Sequence, residues 1–261
     1  TGFAPPGLPL TDSLGRTLTI CDAAARTNGT SCRNSDVLQI IRSAESIGVT
    51  TADMANNGAA INVSTTDFNA FFPAVVVNGV APLQEDLMLI TDCSRADLFR
   101  ATTIVSPAVT PNANLQIAYP SDSFLMPLVG ATYFVATDGR DRDNDGVADP
   151  IATLYRLGIV DQNTSPQAVP IAQGVESLQL AYGEDTGGDS FADVYRNTAA
   201  AVTDFTRVVS IRIGILMKSE RDFLTDAAVP VNFMGDSFNT GGDRRLRLQF
   251  FTTVGLRNRV P

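Results

Sequence analysis

The acidic residues of one short segment have the spacing of a calcium-binding loop. Residues 141–149 place carboxylates at loop positions 1, 3, 5 and 9, and a glycine at position 6. Ca²⁺ prefers roughly six to eight oxygen ligands, and a curled chain brings alternate side chains to a common point. The predicted ligands are Asp141, Asp143, Asp145, the backbone carbonyl of Val147, and Asp149.

The surroundings of this first loop differ from those of an EF-hand. Position 12, where an EF-hand carries a bidentate glutamate, is Ala152. The flanking segments also read as strands rather than helices, so the sequence predicts a calcium loop that joins two strands. The alternative is a solvated acidic hairpin, because Asp-Gly and Asn-Asp are ordinary turn formers.

A second acidic loop repeats part of this pattern. Asp185, Asp189 and Asp193 keep positions 1, 5 and 9, whereas Gly187 replaces the acid at position 3 and Ser190 replaces the glycine at position 6. Since calcium affinity follows the number of charged ligands, this loop is a weaker candidate. A plain turn between two strands is the other interpretation.

The three cysteines divide into a local pair and a single residue. Cys21 and Cys32 bracket a short polar segment that contains a glycine, so it can turn back and allow a disulfide. Such a bond would place the protein in an oxidising compartment. Three buried free thiols are the alternative. If Cys21 and Cys32 pair, Cys93 remains for a partner outside this chain.

Composition excludes several function classes. The 261 residues carry 28 acidic and 19 basic side chains, a net charge of −9, which disfavours nucleic acid as a partner. There is no histidine, so Ser-His, Cys-His and His-metal mechanisms are excluded. We therefore predict that the protein is not an enzyme. The two acidic loops make a calcium-dependent surface adhesion or ligand-binding module one candidate function.

The elements that must position these loops are mostly strands. Alternating or β-branched runs predict strands at residues 37–42, 74–79, 87–90, 98–105, 132–136, 151–157, 175–182, 208–217 and 246–254. In the strand at 208–217, Val209, Ile211, Ile213, Ile215 and Met217 share one face. Short helical turns are expected near residues 52–54 and 67–72. The predicted fold is mainly β, with antiparallel sheets and long loops in one domain over residues 1–261.

Arginines cluster near the end of the sequence, at residues 244–247 and 257–259. Alternation in the first group indicates a strand with arginines on its solvated side, which would blunt a sheet edge. The alternative is a docking surface for an acidic neighbour.

Several blocks resemble PilW-type minor pilins of type IV pili. FFTTVGLRNR at residues 250–259 resembles the family's C-terminal signature; other blocks lie, in the family's order, at residues 89–99, 133–136, 154–156, 174–183 and 207–219, and together they are specific. The resemblance covers roughly residues 85–261, whereas residues 1–84 carry little of the pattern and are predicted to be variable. It implies a pilin-like α+β fold with an apolar N-terminal helix upstream of Thr1.

The resemblance also implies a structural role. Such a subunit joins other minor pilins, and a tip adhesin, in a complex that primes pilus assembly and caps the fibre for twitching and adhesion. It would be held in the inner membrane through the upstream helix, face the periplasm, and then reach the pilus tip of a Gram-negative cell. Family members carry an acid where Gly187 stands, and a cysteine near the end of the helix. The mate of Cys93 thus stays open between no partner, an outside partner, Cys21 and Cys32.

Overall fold

The computed structural model describes residues 10–21, 32, 35–72, 87–140, 145, 150–158, 167–238, 240 and 242–256. This part of the chain is mainly β, with antiparallel and mixed sheets, which confirms the predicted class. The first strands and the helix are β1 (Thr11–Asp12), β2 (Leu18–Ile20), β3 (Leu38–Ser43), β4 (Gly48–Val49), β5 (Ile61–Asn62), α1 (Thr65–Phe71), β6 (Leu87–Thr91), β7 (Ala96–Val105) and β8 (Ala108–Pro111). The later strands are β9 (Phe124–Asp138), β10 (Ala152–Gly158), β11 (Gln167–Gln173), β12 (Val175–Glu184), β13 (Val194–Arg196), β14 (Val208–Lys218), β15 (Val231–Phe233), β16 (Asp236–Phe238) and β17 (Arg247–Gly255). Short 3₁₀ turns lie at Ala199–Ala201 and Phe205–Arg207.

The predicted strands agree closely with the observed ones. Every predicted strand within the described residues is present, although the segment at 132–136 is the last part of the longer strand β9. The strand predicted at 74–79 lies outside the described residues.

The helical turn predicted at 67–72 is confirmed as α1. It begins there because the Ser64 hydroxyl oxygen accepts a hydrogen bond from the Asp67 N–H at 3.0 Å, an N-cap. Phe68 anchors it in the core against Phe72. The segment near 52–54 is not helical, because the Met54 N–H donates across to the carbonyl of Tyr119. No helix in the described ranges is long and apolar enough to cross a membrane.

The described residues fall into two compact units. Unit 1 takes its residues from Thr1–Leu38, Thr132–Leu157 and Gln167–Pro261, and unit 2 from Gln39–Ala131 and Gly158–Pro166. Strand β9 contributes its first part to unit 2 and its last part to unit 1. The predicted single domain over residues 1–261 stays a prediction.

Unit 2 is built on antiparallel strands in the order β9-β6-β7-β8-β5, with β4 also beside β9. Alternate residues of these strands point into one core, as period two requires. The core includes Ile61, Met88, Ile90, Val109 and Leu125, each with no exposed surface.

The described part of unit 1 contains strands of two larger sheets, besides the hairpin β15–β16. The first has the order β1-β11-β10-β9, with β2 beside the end of β9, and the second has the order β13-β12-β14-β17. Phe134 packs on one face of the first sheet with Tyr155, at 5.8 Å between ring centroids. Val135, its neighbour in sequence, packs on the opposite face with Leu178 of the second sheet. The two sheets therefore share one core.

A β-bulge interrupts the alternation of β12. The register with β14 shifts between Val175 and Ser177. Strict alternation predicts Val175 on the same face as Ser177, but Val175 packs in the core beside Leu178. The extra residue, Glu176, can therefore reach the side chains of Lys218 and Arg247.

The hairpin β15–β16 covers the other face of the second sheet. Leu216 of β14 is fully buried against Val231 and Phe233 of the hairpin. Gly214 permits this contact, because a Cβ there would lie 3.0 Å from both Phe233 and Met234.

Candidate functional site

Asp185, the first acid of the second loop, caps the turn that follows it. Its two carboxylate oxygens accept hydrogen bonds from the N–H groups of Gly188, at 2.5 Å, and Ser190, at 2.8 Å. These bonds, the one from Gly188 foremost, lower the pKa of Asp185. Asp189 caps the next residues in the same way, since it accepts from the Phe191 N–H at 3.0 Å.

Asp193 closes the loop from its other end. One carboxylate oxygen accepts from the N–H of Gly187 at 2.7 Å, and from the N–H of Thr186 at 2.8 Å and its hydroxyl at 3.0 Å. The bond from Gly187 is the main reason that the pKa of Asp193 is lowered. Donors within the loop thus bond to each of the three carboxylates, which favours the turn interpretation of this loop.

Glu184 fixes the base of the loop. Its buried carboxylate accepts from the N–H groups of Thr203, at 3.1 Å, and Asp204, at 3.0 Å, and from the Thr203 hydroxyl. Arg196 forms an ion pair with the second oxygen at 3.2 Å. These hydrogen bonds lower the pKa of Glu184, and the bond from the Thr203 hydroxyl has the largest effect. The sequence did not indicate this role of Glu184, because its partners Thr203 and Asp204 lie about twenty residues away.

The first loop lies largely outside the described residues. Of its predicted ligands, Asp145 is described and is exposed, whereas Asp141, Asp143, Val147 and Asp149 are not described. Within the described part of the chain, no three acidic or cysteine side chains are grouped as a metal site requires. Calcium binding therefore stays a prediction for both loops.

The cysteines follow the predicted local pairing. Cys21 and Cys32 form a disulfide, with their Cα atoms 5.8 Å apart, and both are buried in the core of unit 1. Cys93 is an exposed free thiol in the turn between β6 and β7.

A buried ion cluster ties β17 to the neighbouring strands. Arg247 donates to Glu176 at 2.7 Å and forms a bidentate pair with Asp243 at 2.6 and 2.8 Å. Lys218 lies 3.8 Å from Glu176. Burial by itself lowers the pKa of Arg247, but the hydrogen bonds to Asp243 and Glu176 outweigh it and raise the pKa.

The prediction of solvated arginines on this strand is wrong for Arg247, whose side chain is 7% exposed. The bulge explains the difference, because it directs Glu176 to Arg247, and charge pairing of this kind cannot be read from alternation. Arg244 lies over the ring of Phe223 at 4.2 Å, and Arg245 donates to the carbonyl of Ser219 at 2.9 Å. Arg257 and Arg259 lie outside the described residues.

Strand β17 forms one edge of the second sheet and exposes apolar side chains on both faces. It pairs with β14 over its whole length, and the described residues hold no strand on its other side. Leu248, Phe250 and Val254 share the face of Ile211 and Ile215, and each is about half exposed, at 51%, 51% and 49%. Apolar surface of this kind is typical of an interaction site.

Two open grooves of about 630 and 540 Å³ lie on the opposite face of the same strand. Thr253 of β17 lines both grooves. The larger groove is also lined by the exposed Phe191 of the second acidic loop and by Tyr195, whose ring lies 3.8 Å from the guanidinium carbon of Arg212. The second loop therefore serves as a wall beside β17, a role that its carboxylate spacing did not indicate.

Comparison with known proteins gives one match. Residues 132–258 match the model of a family described as Type IV Pilus-assembly protein W. The match spans just under half of the chain and includes most of unit 1 with β17, the ion cluster and the second acidic loop. No curated protein and no solved structure matched the chain. The match supports a PilW-type pilus-assembly protein, and the resembling block at residues 89–99 lies outside it.

Proposed function

We propose that this protein is a minor pilin, a structural subunit that helps prime type IV pilus assembly and sits in the tip complex. The match of residues 132–258 to a pilus-assembly family carries this proposal. That family points to assembly rather than catalysis. Within the matched segment, β17 offers the exposed apolar surface through which a subunit contacts its neighbours.

The proposal includes a fold, partners and a location. An apolar helix upstream of Thr1 would complete a pilin-like α+β fold and hold the subunit in the inner membrane before assembly. Other minor pilins, and a tip adhesin, are the proposed partners, first in the periplasm and then at the pilus tip. The disulfide between Cys21 and Cys32 supports an oxidising compartment.

Deleting the full-length gene in the source organism tests the proposed role. We expect fewer surface pili by electron microscopy and reduced twitching. Complementation with the wild-type gene, or with an Arg156→Ala version altered at an exposed residue, should restore both. Normal piliation and twitching in the deletion strain would contradict the proposal.

We also propose that the first acidic loop binds calcium through Asp141, Asp143, Asp145, the Val147 carbonyl and Asp149. The spacing of these oxygen donors supports this. Bound calcium would stiffen this loop between β9 and β10. Asp185, Asp189 and Asp193 remain a weaker second set.

Calcium binding is tested with the Asp143→Ala variant. We expect titration calorimetry to show calcium affinity lowered at least tenfold, because one of few charged ligands is lost. The melting temperature of the wild-type protein should rise with calcium, whereas that of the variant should not. Asp226→Ala, at an exposed acid outside both loops, is the control. Identical wild-type melting with calcium and with chelator would contradict a structural site.

A further inference from the structure

The N–H and C=O groups of successive β17 residues point alternately toward β14 and toward the open edge of the sheet. At the start of the strand, the Leu246 carbonyl accepts from the Ser219 N–H at 2.9 Å; at its end, the Leu256 N–H donates to the Val209 carbonyl at 2.8 Å. The register between β14 and β17 is regular throughout. Since backbone groups alternate along a strand, the residues with even numbers bond to β14.

The residues with odd numbers therefore direct their N–H and C=O groups away from β14. These are Arg247, Gln249, Phe251, Thr253 and Gly255. No strand among the described residues pairs with this side. Over Arg247–Gly255 this edge has no proline and no bulge, which is the geometry that another strand can extend.

Side chains on both faces of β17 suit an added strand. On one face, the half-exposed Leu248, Phe250 and Val254 would be covered by apolar side chains at alternate positions of the new strand. On the other face, the two grooves lie beside Phe251 and Thr253. Grooves that take alternate side chains supply specificity when a strand is added to an edge.

We propose that the open edge of β17 binds an extended segment of another pilus-assembly subunit, which adds a strand to the sheet. This inference rests on the proposed function. The N–H and C=O groups of the odd-numbered residues, which no described strand covers, can pair with an extended backbone. The exposed apolar side chains would contact apolar residues at every second position of that segment. A second copy of this chain is disfavoured, because two copies each carry a net charge of −9 and repel.

The test uses a matched pair of variants at Thr253. Thr253→Pro removes an N–H that points to the open edge, without removing a bond to β14, and proline is tolerated at such edge positions. Thr253→Val keeps that N–H. Both variants lose the hydroxyl that interacts with Tyr195, so the pair differs in the backbone donor.

The probes are the purified soluble domains of the other minor pilins of the source organism, each added separately to the full 261-residue chain. We expect one of them to slow amide exchange at Gln249, Phe251 and Thr253. We expect its Kd to rise at least tenfold for Thr253→Pro and less than threefold for Thr253→Val. Circular dichroism should show that both variants retain the sheet.

Three results would overturn the proposal. In the first, no probe slows exchange at these amides. In the second, a probe binds but Thr253→Pro and Thr253→Val bind it equally well. In the third, the protein alone dimerises in sedimentation and its own edge amides are protected, which makes a second copy the occupant.

Piliation separates this proposal from the proposed function. If deletion abolishes pili and the Thr253→Pro strain assembles them normally, the edge has no role in assembly and the pilin role stands. If deletion has no effect, the pilin role fails, and strand addition to a pilus subunit fails with it.

Discussion

At the residue scale, the cluster around Arg247 shows how a charged side chain is kept in a sheet. Its guanidinium group is shared between Glu176 and Asp243, so both hydrogen-bonding edges are used. A buried charge without partners is costly, whereas a fully paired one is tolerated. The arginine therefore ties the start of β17 to Glu176 of β12 instead of pointing into the solvent.

We predict that Arg247→Ala lowers the free energy of unfolding by about 3 kcal/mol, because it leaves Glu176 buried without its main partner. Urea denaturation followed by circular dichroism measures this. Arg156→Ala, at an exposed arginine of β10, should change the value by less than about 0.5 kcal/mol. Equal effects of the two substitutions would contradict a stabilising role of the cluster.

Glu184 predicts a pH dependence of stability. Its pKa is lowered from the ordinary value of 4.5 in the folded protein, so it stabilises the fold above that pH. This stabilisation is lost as the pH falls through the lowered pKa. Stability measured by urea denaturation should therefore fall as the pH drops below the ordinary value. Glu184→Gln should be less stable at pH 6 and show a flatter profile. A variant profile parallel to that of the wild type would exclude Glu184 as a source.

The candidate site was only partly predictable from residue types. The sequence places Asp185 and Asp193 in an acidic loop. Residue type alone does not show whether backbone N–H groups or a cation bind their carboxylates. The buried pair of Glu176 and Arg247 joins positions far apart in sequence, and neither position has a distinctive local pattern.

At the element scale, the disulfide secures the chain beside the shared core of unit 1. Replacing both Cys21 and Cys32 by alanine should lower the free energy of unfolding by roughly 2–3 kcal/mol, because the bond closes a short loop in the unfolded chain. Urea denaturation measures the loss. Cys93→Ala removes an exposed thiol and should leave stability unchanged. A double variant as stable as the Cys93 variant would contradict this prediction.

The strands were predictable because alternation and β-branching reflect local packing against one face. Two features of the second sheet were not. The bulge at Glu176 moves Val175 to the opposite face of β12 from Ser177, although apolar and polar residues alternate in the sequence. The hairpin β15–β16 buries Leu216 and Gly214 on the face of β14 that looked less apolar, whereas Ile213 and Ile215 are half-buried. Both depend on contacts between distant segments.

At the scale of the whole molecule, the two units differ in how they relate to known proteins. The family match begins at residue 132, so it covers most of unit 1 and very little of unit 2. The proposed pilus role therefore depends on unit 1, which holds the disulfide, the second acidic loop and β17. The described residues of unit 2 form a packed core and an antiparallel sheet, but none of them forms a pattern that indicates a function.

The discontinuous course of unit 1 has a consequence for synthesis and export. Its second sheet is complete only when β17 has emerged, whereas the sheet of unit 2 is built from residues 39–131. We expect unit 2 to fold first, and unit 1 to wait until β17 has been made. A chain truncated after residue 245 should keep slow amide exchange in β6 and β7 and lose it in β12 and β14. Slow exchange retained in all four strands would contradict this order. The same order would keep the open β17 edge from forming until the sheet of unit 2 is already in place.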